Sequence, residues 1–325
     1  IHKNFLSFIY EKNDWINKRL QWLKDIKKLD DEQLYWYYKK YEKYIDKDTI
    51  KQEYPCTPQE AFLLSGKTVF DTEILIQRLS QIPKPLKVGY FIYDYDGLKI
   101  KNIRWVNDRN GYIKIYYKPN SPRITKYTIG GDTAGEGTDN FTGHALDART
   151  GMQVAVLERK FDAAEYSRQM YCLGAYYKWA LLCIEENFDP YVNRELARLG
   201  YPNIYVSTKI DTYTNKLDKK YGFLTTKITR PMIISHLIEV VKTHPELIND
   251  ENTINELLTI IRNEKGRIEA PEGGHDDHMM GLAIAHESIH QVSFIEEQIN
   301  IYPEFNFSRE TEFQNTDKGE HIKVI

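Results

Sequence analysis

Along the first fifty residues, apolar positions recur at spacings of three and four: Ile16, Leu20, Leu23 and Ile26, then Leu34, Tyr37, Tyr38 and Tyr41. That period predicts two amphipathic helices, and nothing in the stretch alternates with the period of two that a strand requires. Asp30 or Asp31 stands where a cap for the second helix belongs. Residues 53–71 change character: Pro55 and Pro58 bracket an extended turn, and Thr57 can cap a short helix opened by Pro58. A further helix is expected over 72–80. Four prolines, the strand-like runs YFIYDYD and YIKIYYK, and turn signals at Asp96-Gly97 and Asn110-Gly111 then fill 81–123. This part reads as a linker forming a small β-rich collar.

From 124 the pattern becomes regular. ITKYTIGGD is a strand running into a glycine turn, and FTGHALDARTGMQVAVLERK is two strands about an Arg-Thr-Gly turn. Asp162 can cap a helix over about 163–178. ALLCIEEN is a buried strand, YVNRELARLG a helix closing at Gly200, and NIYV a short strand. The order is β-β-β-α-β-α-β, an α/β arrangement in which the first and fourth strands would lie side by side. Later helices are expected at about 230–243, 252–263 and 276–290. The expected division is a helical segment at 1–64, the linker at 65–123, an α/β domain at 124–292 and an acidic tail at 293–325.

Composition narrows the function classes. The 325 residues carry 44 basic and 47 acidic side chains, a net charge of −3. Any nucleic-acid contact therefore has to come from a local patch on a near-neutral body. No apolar run has the length of a membrane span, so no membrane partner is expected. The three cysteines, Cys56, Cys172 and Cys183, contain no C-x-x-C pair, fit neither a disulfide framework nor a zinc site, and point to a reducing compartment. The chain does not begin with Met, so a fragment or processed product is expected.

The chemistry is in the acids. Asp132 ends one buried strand, Glu185 ends another, and Asp276 and Asp277 open an apolar helix. Each has an ordinary reading alone: a turn residue, a solvated strand end, a helix cap. Buried carboxylates gathered from three elements would need a cation, and hard divalent ions with oxygen ligands answer that need. Two such ions can activate water and stabilise the leaving oxygen of a phosphodiester, so metal-assisted phosphodiester hydrolysis is the implied reaction class.

The segments QEYPCTPQEAFLLSG, VFD, GGDTAGEGTD, IEEN, GFLTTKITRPMII and HDDHMMGLAIA, in this order, resemble the large terminase subunit of tailed bacteriophages. The likeness runs from about 30 to 290. It implies a ribonuclease H-like mixed sheet flanked by helices, and an endonuclease that cuts concatemeric viral DNA during packaging. By motif, Asp132, Glu185 and Asp277 would be catalytic metal ligands for Mg²⁺ or Mn²⁺, with two ions expected. Asp276 competes with Asp277 for the helix position, and Asp139 matches a further acid after the glycine turn. The resemblance implies partners as well: double-stranded DNA, a portal protein, a small terminase subunit and the ATPase domain of the same subunit. It places the protein in the host cytoplasm during phage assembly.

Residues 209–230 hold Lys209, Lys216, Lys219, Lys220, Lys227 and Arg230 against Asp211 and Asp218. Phosphate contacts of this kind position a duplex without reading its sequence. Lys216, Lys219, Lys220, Lys227 and Arg230 are the expected DNA-binding set, on what the family likeness implies is a hairpin; a solvated basic loop is the alternative. SGKT at 65–68 resembles the end of a P-loop, but position 61 is alanine where a glycine is required, so no nucleotide site and no ATPase activity are expected. The string HESIH, His286 to His290, formally matches H-E-x-x-H, yet a zinc protease needs a third ligand, and downstream only a polar tail offers one. The aromatic residues at 35–44 are expected to pack the helix onto the absent ATPase domain. Two rival readings remain: a junction resolvase with the same fold, and an inert docking module for portal or DNA.

Overall fold

The computed structural model describes residues 14–43, 50–51, 53–56, 68–119, 126–133, 140–187, 190–210, 217–271 and 273–292. In chain order the helices α1 (Asp14–Asp25), α2 (Asp31–Tyr41) and α3 (Thr72–Leu79) come first. Strands β1 (Lys87–Asp96), β2 (Lys99–Asn107) and β3 (Ile113–Ile115) follow. Then come β4 (Tyr127–Asp132), β5 (Phe141–Asp147), β6 (Gln153–Arg159), α4 (Ala163–Tyr176), β7 (Leu181–Ile184) and α5 (Tyr191–Arg198). The rest is β8 (Val206–Ile210), β9 (Leu217–Tyr221), α6 (Thr229–Thr243), α7 (Glu251–Leu257), β10 (Ile261–Arg262), β11 (Ile268–Glu269) and α8 (Asp277–Ser288). The chain forms two compact units, Ile1–Thr72 with Leu258–Gly274, and Glu73–Leu257 with His275–Ile325.

In the smaller unit, α1 and α2 bury the periodic residues Ile16, Leu20, Leu23, Leu34 and Tyr37, joined by Ile50. Asp30 is the cap of α2: its carboxylate accepts from Gln33 N at 2.8 Å, and the Gln33 side chain accepts from Asp30 N at 3.0 Å. Such a reciprocal box satisfies two helix-end amides and contributes about 1 kcal/mol. The short β10–β11 pair belongs here too, and Thr68 bridges Ile261. The helix expected over 252–263 therefore stops at Leu257. The β-branched run Thr259-Ile260-Ile261 enters strand pairing instead, where such side chains fit better.

The larger unit is built on a seven-stranded mixed sheet in the order β2-β1-β3-β6-β5-β4-β7. All neighbours are antiparallel except β4 and β7. Three antiparallel strands, a crossover helix and a fourth strand parallel to the first form the ribonuclease H-like arrangement. Asp162 caps α4 by accepting from Ala164 N at 3.0 Å and Glu165 N at 2.9 Å. Every residue of β4 and β5 is buried, as expected for central strands covered on both faces. The strands of the expected β-rich collar extend this sheet. Ile113 and Ile115 are fully buried, and β3 pairs with β1 on one side and β6 on the other. The outer strands thereby cover what would be the bare edge of β6.

Adjacent glycines show how tightly β4 is enclosed. A Cβ on Gly130 would collide with Ala285 and Gly281 of α8, and one on Gly131 would collide with the Tyr166 hydroxyl of α4. Alternate residues of a strand face opposite ways, so α8 covers one face of β4 and α4 the other. No described helix is long and apolar enough to cross a membrane.

Candidate active site

Sheet register and one helix start place the acids. The parallel register sets Gly131 opposite Ile184, and Glu185 N donates to Gly131 O at 2.9 Å. Glu185 therefore follows β7 directly beside Asp132, the last residue of β4. By strand alternation Asp132 faces the same way as Gly130, toward α8, whose first residue is Asp277. Asp132, Glu185 and Asp277 are all buried, with at most 8 % of each exposed.

Electrostatics records the crowding. The Asp132 carboxyl is held well above the usual carboxylate range, first by burial, then by a hydrogen bond and charge from Glu185, then by the charges of Asp277 and Asp276. A proton shared in this group relieves like-charge repulsion, and so would a cation. Asp277 is oriented by the chain: its Oδ2 accepts from Asn140 N at 3.1 Å, and its backbone carbonyl accepts from Thr142 Oγ1 at 2.8 Å. His275 Nδ1 lies 3.9 Å from the same Oδ2. Beneath the site the Tyr166 hydroxyl donates to Thr142 O at 2.6 Å. Burial and then the charge of Asp132 push that hydroxyl's pKa up, so it stays a donor.

Asp276 differs from its neighbour. It sits at the cap position of α8 but makes no side-chain cap bond. Its carboxylate instead pairs with Arg230 of α6 at 2.6 Å, while another Arg230 nitrogen lies 2.7 Å from Met280 Sδ. The structure thus places Arg230 on the acidic cluster and brings Asp276 in as a partly neutralised member. A cation at the start of a helix is disfavoured by the helix dipole, so Arg230 in the first turn of α6 was a sequence signal for an anionic partner nearby. Tyr166 offered no comparable signal.

The donor set fits hard divalent ions. It is all carboxylate, and two buried oxygens next to it in sequence, Thr133 Oγ1 and Glu186 Oε2, have no hydrogen-bond partner among the described residues. Carboxylates of this kind can hold one or two such ions. Asp132, Glu185 and Asp277 would hold them.

The expected DNA-binding residues lie partly in view. β8 and β9 form a two-stranded antiparallel hairpin whose stems grow from the edge of β7: Ile204 bridges Leu182, and Phe223 bridges Glu185. The hairpin therefore leaves the sheet beside the acids. Lys220 on β9 and Lys227 after it are exposed. Lys219 is in β9, but its side chain, like Lys216 and Asp139 altogether, is outside the described residues, as are positions 65–67 of the SGKT string. In the HESIH string His286 is 4 % exposed, and burial, then the charge of His236, push its pKa down to about 3.

The chain matches no protein-family model and no curated protein sequence. Over about two thirds of its length it is structurally similar to large terminase nuclease domains of thermophilic phages, at low sequence identity. The nuclease of phage G20c with bound magnesium aligns at 17% identity and a TM-score of 0.46, covering 69% of this chain and 98% of that one. The cobalt-bound form gives the same values. The nuclease domain of Thermus phage P74-26 aligns at 18% identity and a TM-score of 0.44, covering 66% of this chain and 94% of that one.

Proposed function

We propose that this chain is a divalent-metal-dependent DNA endonuclease of the terminase large-subunit kind. The observation that carries the reading is the convergence of Asp132, Glu185 and Asp277, buried on two strand ends and one helix of a ribonuclease H-like fold, with the Asp132 carboxyl driven toward its protonated form by burial first and then by its neighbours. Leaving such a group uncompensated in a fold is costly. A site that binds Mg²⁺ or Mn²⁺ turns that cost into affinity. Bound ions would supply a water of lowered pKa and charge to stabilise the leaving oxygen of a phosphodiester.

The chain's own residues do the rest. Asn140 N–H and the Asp277 carbonyl contact fix the start of α8, and the Glu185 N–H to Gly131 bond fixes the two strand-end acids relative to each other. Arg230 offsets the charge of Asp276, which makes Asp277 the stronger ligand of the two. Lys220 and Lys227 on and after the hairpin contact backbone phosphates and hold a duplex over the acids. In a phage the substrate would be concatemeric DNA in the host cytoplasm, with portal, small subunit and ATPase domain governing when it is cut.

The test is cleavage of supercoiled plasmid in Mg²⁺ and in Mn²⁺ by wild type and Asp132→Asn. Metal-dependent nicking and linearisation are expected, reduced at least about 100-fold in the variant. Cutting by Asp132→Asn at the wild-type rate would remove the acids from the chemistry. Absence of both cleavage and metal binding would favour the docking-module reading, and a strong preference for branched DNA the resolvase.

A further inference from the structure

Far along α8 from the acids lies a second, chemically different group. His236 of α6, Glu287 near the end of α8, and His290 of the 3-10 turn Ile289–Gln291 each offer a ligand atom, all within 4.8 Å of one another. His236 Nδ1 stands 4.0 Å from Glu287 Oε2, and the His236 and His290 rings stack with centroids 6.2 Å apart. We propose that His236, Glu287 and His290 form a binding site for a divalent transition metal of the zinc class, with water or His286 in the fourth position.

The donors decide the class. Two imidazoles and one carboxylate suit zinc, cobalt or nickel, whereas magnesium and calcium take oxygen alone. Tetrahedral ligation at about 2.0–2.1 Å sets ligand atoms roughly 3.3 Å apart, which side-chain rotation reaches from the spacing seen. Glu287 and His236 are half-buried and His290 is exposed, so an ion can enter from solvent. The buried His286 ring lies edge-on to His236 with centroids 6.2 Å apart, and its Nε2 has no hydrogen-bond partner among the described residues.

The ligands come from two helices that run side by side in the same direction and from the 3-10 turn that follows α8. Arg230 meets Asp276 near their starts, and His236 meets Glu287 farther along. A metal here would clasp α6 to α8. About 15 Å of helix rise separates Glu287 from Asp277, so this site and the carboxylate cluster would fill independently. It is also no H-E-x-x-H protease centre. There the glutamate is a base beside two histidine ligands, whereas here Glu287 is itself a ligand and the second histidine comes from another helix.

Zinc stoichiometry by elemental analysis and thermal unfolding after zinc addition test this in the full chain. Asp132→Asn serves as the background because it weakens the acidic site. That protein is expected to retain one zinc per chain and to gain about 5 °C in Tm at zinc well above its Kd. Adding His236→Gln or His290→Gln is expected to abolish both, with the metal-free Tm of the exposed-site variant His290→Gln unchanged. Equal zinc content and equal Tm gain with and without those substitutions would overturn the proposal, as would no zinc bound at all. Either result is independent of DNA cleavage, so it stands or falls apart from the nuclease reading.

Discussion

Replacing Asp250 with asparagine should cost the larger unit a measurable and pH-dependent share of its stability. Asp250 precedes α7, and its side chain is fully buried. Its Oδ1 accepts from Lys114 Nζ at 2.8 Å and from the Tyr116 hydroxyl at 3.0 Å, the first in β3 and the second just after it. Its Oδ2 accepts from Thr253 N at 2.9 Å and Thr253 Oγ1 at 3.0 Å. Burial alone would raise the pKa of this carboxyl, but the charges of Lys114 and His278 and the bonds from Lys114 and Thr253 outweigh it and bring it down to about 2 from an ordinary 3.8. A displacement of nearly two pH units, at about 1.4 kcal/mol each, corresponds to about 2.5 kcal/mol. Because the folded value is the lower one, this stability is present in full above the unfolded value and is lost as pH falls from there through about 2. An asparagine in place of Asp250 carries no charge and turns an amide N–H toward one of four donors. At pH 7 the variant should lose about 2–3 kcal/mol, or roughly 5–10 °C in Tm. Wild type and variant should converge as the pH is lowered toward 2. The assay is urea unfolding followed by circular dichroism from pH 7 down to pH 3. A gap between the two proteins that stays constant over that range would refute the linkage argument.

The acidic site makes the opposite prediction. With its folded pKa above the ordinary value, Asp132 destabilises the metal-free protein at neutral pH, and this penalty fades as the pH falls and the carboxyl takes its proton. Asp132→Asn should therefore raise Tm by a few degrees in EDTA at pH 7, the gain shrinking toward pH 5; a lower Tm at pH 7 would contradict it. Gly130→Ala should destabilise by about 3 kcal/mol, because its Cβ falls on Ala285 and Gly281 of α8. As α8 carries Asp277, plasmid cleavage should drop with it, whereas unchanged unfolding would show that α8 can retreat freely.

Much of this was legible because it is local. The spacing of Ile16, Leu20, Leu23, Leu34 and Tyr37 marked the buried faces of α1 and α2, Asp162 was readable as a cap from its position, and the cap of α2 was narrowed to Asp30 or Asp31. The buried strands ending in Asp132 and Glu185 were readable from apolar runs closed by an acid, and the order of elements placed those ends side by side. What failed to show was non-local. Nothing within 81–123 reveals that β3 will pair with β6, since strand alternation specifies a face and not a neighbour. The end of α7 at Leu257 depends on pairing partners at Thr68 and β11. His236 lies fifty residues before Glu287 and joins it only because α6 and α8 run together.

The packing of α8 against β4 also sets a schedule for synthesis. Gly130 and Ala285, which meet across that contact, are separated by more than 150 residues, and every other described α-helix and strand of the larger unit is made before α8. Until α8 arrives, one face of the central strand is uncovered, and the third buried acid does not exist. A chain emerging from the ribosome would thus lack the complete acid cluster through most of its translation. It would complete that cluster only with the helix that closes its core, so that under the proposed function cutting would wait for the fully folded chain.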